Sequence, residues 1–184
     1  MSSGVEAIHE SDLRVLVLAP TGRDAEVLCD RLRNAGMATL PCREMGRLCK
    51  EMQRGAGAAI LAAEALTPAA LDLLTTSLRT QPPWSDFPLI IMTSGGVADQ
   101  RTWQIIGAIE ELAQATLLER PVRTVTLVSS VKVAIQSRRR QYQVRDYLIE
   151  RGRAELALLT RTQLAALRGD LALHLAKSDS PEDI

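Results

Sequence analysis

Pro88-Leu-Ile-Ile-Met92 is the stretch of sequence that decides the fold. It follows the proline-rich loop 81–88 and is closed by Gly95-Gly96, which is typical of a short strand buried inside a sheet. Similar apolar runs recur at 14–18, 37–40, 58–62 and 115–118, of which 37–40 is the weakest. Because these runs are continuously apolar and do not alternate with polar residues, they indicate a parallel sheet that is covered on both faces.

Helical segments separate the five predicted strands. Apolar residues recur at helical spacing in the segments 21–34, 44–54, 67–78 and 99–111. Thr21 is the predicted N-cap of the first helix, and Pro68 suits the first turn of the third. Strands that alternate with helices through right-handed crossovers give an α/β sandwich. The sequence therefore predicts a flavodoxin-like, doubly wound five-stranded parallel sheet of order 2-1-3-4-5.

The last helix is longer than the sandwich requires. It begins near Val122, passes Ile135, where the sheet is already covered, and continues to about Lys177. Beyond the domain it carries a leucine stripe with spacings near three and four, formed by Leu148, Leu156, Leu159, Leu164, Leu167, Leu171 and Leu175. One helix alone cannot bury such a stripe, so we expect a homodimer through this helix. Parallel and antiparallel pairings both remain open.

Composition excludes several classes of protein. Hydrophobic residues make up 46% and aromatic residues 3%, so the predicted core consists of Ala, Val, Leu and Ile. The 22 basic and 22 acidic residues balance, so no overall field directs the chain to nucleic acid or membranes. No apolar run approaches the roughly 20 residues that span a bilayer. The N-terminus lacks the features of a signal peptide, so we expect a cytoplasmic protein.

No catalytic or metal-binding motif is recognisable. Cys29, Cys42 and Cys49 form no CxxC pair and are predicted to be small core residues. His9 and His174 have no other Cys or His at ligand spacing, and no Ser or Cys nucleophile belongs to a hydrolase motif. We therefore expect no enzyme activity, no bound metal and no cofactor.

The segment 123–168 is basic, with Arg138-Arg-Arg140 at its centre. Only Tyr142 and Tyr147 accompany these arginines, which disfavours a surface for nucleic acid. We expect a solvated collar of charge there, or a surface that pairs with a partner protein. Trp84, which lies between prolines, is predicted to anchor its loop and not to bind a ligand.

Four stretches carry a family resemblance: 12–24, 81–86, 118–122 and 138–146. They resemble the receiver domain of bacterial response regulators. More narrowly, they resemble the receiver-like domain at the N-terminus of certain hybrid sensor histidine kinases. The resemblance covers roughly residues 12 to 153. It implies the receiver fold and a place in a phosphorelay of two-component signalling.

Receiver phosphorylation depends on an acidic pair after strand one, which holds Mg²⁺, and on an acceptor Asp after strand three. Here strand one ends in Ala19-Pro20-Thr21, and Arg23-Asp24 lies too far along to replace the acidic pair. The acceptor position falls at Glu64 if Pro68 is matched to the usual proline, or at Ala63 if the strand is one residue shorter. Neither residue is an Asp.

Two further positions of a receiver, which contact the phosphate after strands four and five, are partly retained in this chain. The hydroxyl position is Thr93, with Ser94 beside it, and the usual Lys is replaced by Arg120. Pro121 follows, in a turn that a cis peptide bond would suit. Glu64 either imitates a phosphorylated Asp by pairing with Arg120 and Thr93, or lies solvated at the strand end. Both interpretations stay open.

The resemblance implies a pseudo-receiver domain (12–137) and a signalling helix (138–177), between a flexible N-terminus (1–11) and a disordered tail (178–184). The expected function is regulatory protein–protein interaction, with a histidine kinase or another signalling protein as the partner. One alternative is an antiterminator-type RNA-binding regulator, which would need an RNA-binding domain after the long helix. The other is a genuine phospho-accepting response regulator, which would need the missing acidic pair.

Overall fold

The computed structural model describes residues 10–19, 22–94, 106–107 and 109–178. The strands and helices follow one another as β1 Val15–Leu18, α1 Gly22–Asn34, β2 Thr39–Cys42, α2 Met45–Gln53, β3 Ala58–Ala62, α3 Pro68–Arg79, β4 Leu89–Ser94, β5 Ala115–Arg120 and α4 Thr124–Ser178. Short 3₁₀ turns occupy Glu10–Leu13 and Ala63–Ala65. Several predictions concern positions outside the described residues: the flexible segment 1–9, the Thr21 cap, the Gly95-Gly96 turn, most of the helix 99–111 and the tail 179–184.

The five strands form one parallel sheet in the order β2-β1-β3-β4-β5, so the predicted topology is confirmed. Every residue of β1 and β3 is buried, as their continuously apolar sequences require. Alternate strand residues face opposite layers of the core. Leu16 and Leu61 pack with residues of α2 and α3, whereas Val17 and Ile60 pack with residues of α1 and α4.

Strand β2 lies two residues later than predicted, at Thr39–Cys42 in place of 37–40. Pro41 belongs to the strand, opposite Val17 of β1. A proline lacks the N–H that a central strand needs, but β2 pairs only with β1 and therefore forms an edge of the sheet. The predicted segment therefore shares only Thr39 and Leu40 with the strand, which continues through Pro41 to Cys42.

Gly57 allows β3 to start close beside β1. Its N–H donates to the carbonyl oxygen of Arg14 at 2.9 Å. A Cβ atom on Gly57 would lie only 2.4 Å from the carbonyl oxygen of Leu13. The register that follows aligns Leu18 with Leu61. The carboxyl ends of β1, β3, β4 and β5 thus lie along the same edge of the sheet, called here the carboxyl edge.

Helix α4 is continuous, but the pattern of contacts divides the chain into two units, residues 1–144 and residues 145–184. In the first unit α4 carries a buried stripe formed by Leu127, Val131, Ala134, Arg138 and Tyr142. In the second unit none of the side chains described, those of residues 145–169, is buried. Among the described helices, none is long and apolar enough to cross a membrane.

Candidate functional site

Glu64 and Arg120 form an ion pair at the carboxyl edge. Glu64 lies in the 3₁₀ turn that directly follows β3, and Arg120 is the last residue of β5. Both side chains are partly exposed, Glu64 by 40% and Arg120 by 32%. The contact that the phosphate-mimic hypothesis requires between these two residues is therefore present. Ala63, the other acceptor candidate, is the first residue of the same turn and is half-buried.

The hydroxyl residues lie on the strand between the two partners. Thr93 and Ser94 are the last two residues of β4, which pairs with β3 on one side and with β5 on the other. Thr93 is opposite Glu119, and Ser94 is opposite Arg120. Thr93 is half-buried and Ser94 is exposed. The Arg120–Pro121 peptide bond is cis, the form that the sequence suggested.

The site offers a fixed charge pair and few ligands for a metal. Ala19 follows β1 where a receiver carries acidic residues, and Asp24 is exposed on α1. Across the described ranges, no group of three or more His, Cys, Asp or Glu side chains is placed to hold a metal ion. Mg²⁺ prefers several oxygen ligands, including one or two carboxylates. What the site does provide is the carboxylate of Glu64, directly after β3, which is paired with the guanidinium of Arg120.

A second cluster of polar residues lies at the opposite, amino edge of the sheet, and the sequence interpretation missed it. Arg138 is only 4% exposed. Its Nε donates to the carbonyl oxygen of Ala56 at 3.2 Å, and its Nη1 donates to Ser85 Oγ and to Gln141 Oε1, both at 2.7 Å. The predicted solvated collar is therefore wrong for Arg138, although Arg139 and Arg140 are exposed.

Three aromatic rings surround the Arg138 guanidinium. Its carbon atom lies 4.6 Å from the ring centroid of Tyr142, 5.2 Å from that of Phe87 and 5.3 Å from that of Trp84. These distances are within the range of cation–π attraction, which is strongest where the cation is desolvated. Trp84 thus anchors its loop, as the sequence predicted. Together, Trp84, Ser85, Phe87, Arg138, Gln141 and Tyr142 are called here the Arg138 cluster.

Two further residues attach α4 to the same edge. Gln141 Nε2 donates to the carbonyl oxygen of Asp86 at 2.6 Å, and the Asp86 N–H donates back to Gln141 Oε1 at 3.1 Å. The Tyr142 hydroxyl is 3.3 Å from the carbonyl oxygen of Ala56 and 3.4 Å from that of Asp12. The loop before β4 is therefore bonded to α4 one turn or more beyond the predicted domain end at residue 137.

The position of Arg138 on the same face of α4 as the buried apolar residues was the signal that could have revealed this cluster. Leu127, Val131 and Ala134 are buried against the sheet, and their spacing of four and three residues continues to Arg138 and Tyr142. An arginine in phase with a buried stripe must find partners for its charge, because an unpaired buried charge is strongly unfavourable. The interpretation considered charge alone and treated Arg138-Arg-Arg140 as one patch.

The second unit exposes the predicted leucine stripe. The exposed fractions are 49% for Leu148, 65% for Leu156, 57% for Leu159, 53% for Leu164 and 65% for Leu167. Leu171 lies in α4, and its side chain is outside the described residues. The described leucines of the stripe thus present apolar area that this chain leaves in contact with solvent.

Comparisons with known proteins identify the fold through structure and not through sequence. No family profile matches the chain, and no curated protein has a matching sequence. NtrX from Brucella abortus, solved with ADP, is similar at a TM-score of 0.56 and 18% identity, over 73% of this chain and 28% of that one. This chain therefore spans about a quarter of the NtrX chain.

Two smaller structures match over nearly their whole length. A CheY-like receiver domain from Methanospirillum hungatei has a TM-score of 0.55 and 15% identity, over 70% of this chain and 98% of that one. A fusion protein with the yeast Spc42 trimeric coiled coil has a TM-score of 0.54 and 13% identity, over 82% of this chain and 96% of that one. The chain therefore has the fold of a response-regulator receiver domain.

Proposed function

We propose that this chain is a pseudo-receiver: a regulatory protein–protein interaction module of two-component signalling that accepts no phosphoryl group. The observation that carries the proposal is the ion pair between Glu64, at the acceptor position after β3, and Arg120, after β5. A phosphorylated Asp would bring negative charge to this edge of the sheet only transiently. Glu64 places a carboxylate there without any phosphoryl transfer.

The chemistry of transfer supports the same proposal. Phosphoryl transfer depends on metal ions that neutralise the developing charge and on a nucleophile held in line. Ala19 contributes no carboxylate for a metal, and the Glu64 carboxylate already binds a cation. Its side chain is also one methylene longer than the Asp of a working receiver. The site therefore resembles a phosphorylated receiver in charge, and among the residues that the structure describes it offers few ligands for Mg²⁺.

Mass spectrometry tests the absence of phosphorylation. The full chain is incubated with acetyl phosphate and Mg²⁺, beside a receiver that retains its acceptor Asp. We expect the receiver to gain the mass of a phosphate and this chain to remain unchanged. A phosphate-sized increase in this chain that disappears with Glu64→Ala or Asp24→Ala would overturn the proposal.

The proposed partners are a histidine kinase or another signalling protein, together with a second copy of this chain. The leucine stripe supports a homodimer, since fully burying one leucine contributes about 1.5–3 kcal/mol. Five described leucines of the stripe are about half exposed or more in the single chain. Several of them buried together would outweigh the entropy lost on association.

Sedimentation equilibrium tests the dimer. We expect the full chain to be dimeric at tens of micromolar and the variant Leu164→Asp/Leu167→Asp to be monomeric. Leu158→Asp is the matched control, because Leu158 is also exposed, by 62%, but lies on the other side of the helix from Leu156 and Leu167. A monomeric wild-type chain at these concentrations would overturn the dimer.

A further inference from the structure

A cavity of about 350 Å³ lies in the first unit, between α4 and the connection from α1 to β2. One wall is formed by Leu13 and by residues 35–38, which precede β1 and β2 at the amino edge of the sheet. The other wall is one face of α4, whose lining residues are three and four positions apart: Lys132, Ile135, Gln136 and Arg139. Pockets for small ligands are usually about 300–1,000 Å³, so this cavity has room for a small organic molecule.

The inner part of this cavity is apolar. Met37 is buried, and Leu13 and Ile135 are half-buried. Met37 belongs to the core layer that α1 and α4 form on one side of the sheet, and Ile135 packs against the same layer. A ligand that enters the cavity therefore meets a wall that favours an apolar group, because covering such a wall removes apolar area from water.

The outer part of this cavity is basic. Lys132 and Arg139 are exposed and lie two helical turns apart, about 10 Å along α4. Neither forms an ion pair or a hydrogen bond with another described residue, and no Asp or Glu lines the cavity. The last carbonyl oxygens of α1, those of Leu32 and Arg33, accept from the N–H groups of residues 35–37. The two cations are therefore not engaged in capping α1, and both are available to a ligand.

We propose that this cavity binds a small amphipathic organic anion. The apolar body of the ligand lies against Leu13, Met37 and Ile135, and its acid group accepts charge-assisted hydrogen bonds from Lys132 and Arg139. The inference goes beyond the proposed signalling role, because it adds a small-molecule ligand and does not depend on the dimer or on the Glu64–Arg120 pair. The ligand contacts both α4 and the connection from α1 to β2. Its binding therefore strengthens the attachment of α4 beside the Arg138 cluster.

A titration with 2-naphthoate tests the site, since this probe joins a flat apolar body to one carboxylate. Amide chemical shifts of the isotope-labelled full chain should change saturably at residues 35–38 and 132–139. We expect a Kd on the order of 1 mM for a ligand of this size. The neutral molecule of the same shape, 2-naphthamide, should bind at least about fivefold more weakly. Equal affinity for the two probes, or shifts that appear only in the leucine stripe, overturn the proposal.

A charge-matched pair of variants separates this cavity from the general basic charge of α4. Lys132→Gln/Arg139→Gln should weaken 2-naphthoate binding about tenfold, because the acid group loses both of its cations. Arg123→Gln/Arg140→Gln removes the same charge at exposed residues that do not line the cavity, so its Kd should stay within about twofold of wild type. Equal losses in the two double variants overturn the proposal.

A third variant fills the cavity without changing its charge. Ala38 lines the cavity and is exposed, so a larger side chain there is accommodated by the fold. Ala38→Phe should weaken 2-naphthoate binding at least about tenfold, because its ring takes the place of the naphthyl group. Ala38→Ser is the control and should stay within about twofold of wild type, since it leaves the cavity open. An Ala38→Phe variant that binds 2-naphthoate as well as wild type overturns the proposal.

Discussion

The guanidinium of Arg138 lies 4.6 Å from the ring centroid of Tyr142, one turn further along α4. Both side chains also reach the carbonyl oxygen of Ala56, which precedes β3. A cation and a phenol thus share one main-chain acceptor at the amino edge of the sheet. The Glu64–Arg120 pair lies at the other edge, so the domain has a charged contact at each end of its strands.

The first prediction concerns the charge of Arg138. Arg138→Ala should lower the free energy of unfolding by about 3 kcal/mol, because it removes charged hydrogen bonds and leaves a gap between three rings. Arg138→Lys keeps the charge but loses the planar fork of donors, and should cost about 2 kcal/mol. Arg139→Ala is the control and should stay within about 0.5 kcal/mol of wild type. Urea unfolding measures all three; equal effects at 138 and 139 would contradict the buried cluster.

The second prediction concerns the end of the folded domain. A chain that stops after Val144 keeps the Arg138 cluster and should fold as a stable monomer. A chain that stops after residue 137 loses Arg138, Gln141 and Tyr142, and should melt at least about 10 °C lower. Calorimetry of the two truncated chains makes the comparison. Equal melting temperatures would place the domain end at residue 137, as the sequence suggested.

The third prediction concerns the pair at the carboxyl edge. The Glu64 and Arg120 side chains are partly exposed, so Arg120→Ala should change stability by only about 0–1 kcal/mol. If the pair imitates a phosphorylated state, the amide chemical shifts around Thr93 should nevertheless move. Arg123→Ala, at an exposed arginine just beyond β5, serves as the control. Shifts around Thr93 that remain unchanged in Arg120→Ala rule out the mimic.

The fourth prediction compares two glycines. Gly57→Ala should destabilise the chain by several kcal/mol, because the new methyl would meet the Leu13 carbonyl oxygen at 2.4 Å. Gly46→Ala, within α2, has nothing within 4 Å of the new atom and should stabilise by up to about 1 kcal/mol. Chemical denaturation of both variants checks the signs. A Gly57→Ala variant as stable as wild type would contradict the close approach of β3 to Leu13.

The fifth prediction concerns pH. Burial raises the pKa of the Cys42 thiol to about 11 and also raises the pKa values of Cys29 and Cys49. The folded state therefore holds these protons more tightly than the unfolded state. Stability is full below about pH 9 and is lost as pH rises towards 11, by on the order of 2 kcal/mol from Cys42. Unfolding measured at pH 8 and pH 10.5 should show this loss, and Cys42→Ala should show a smaller one.

The sequence predicted those parts of the fold that depend on local pattern. Continuous apolar runs identified β1, β3 and β4, because strands buried on both faces leave no place for polar residues. The weak edge strand β2 was misplaced, since an edge tolerates Pro41 and its sequence carries little signal. Matching the chain to the positions of a receiver domain predicted that Glu64 and Arg120 could pair, because the strand ends of a parallel sheet meet at one edge. Arg138 was missed because its burial depends on partners 53 and 82 residues away, Ser85 and Ala56.

The Arg138 cluster also gives a way to recognise distant relatives of this chain. Its members fall in two short segments: Trp84, Ser85 and Phe87 before β4, and Arg138, Gln141 and Tyr142 on α4. Each of these residues makes its own hydrogen bond or ring contact within the cluster, so a substitution at any of them should weaken the attachment of α4. A search pattern of Trp-Ser-x-Phe followed some fifty residues later by Arg-x-x-Gln-Tyr would therefore find chains whose last helix is attached to the sheet in the same way.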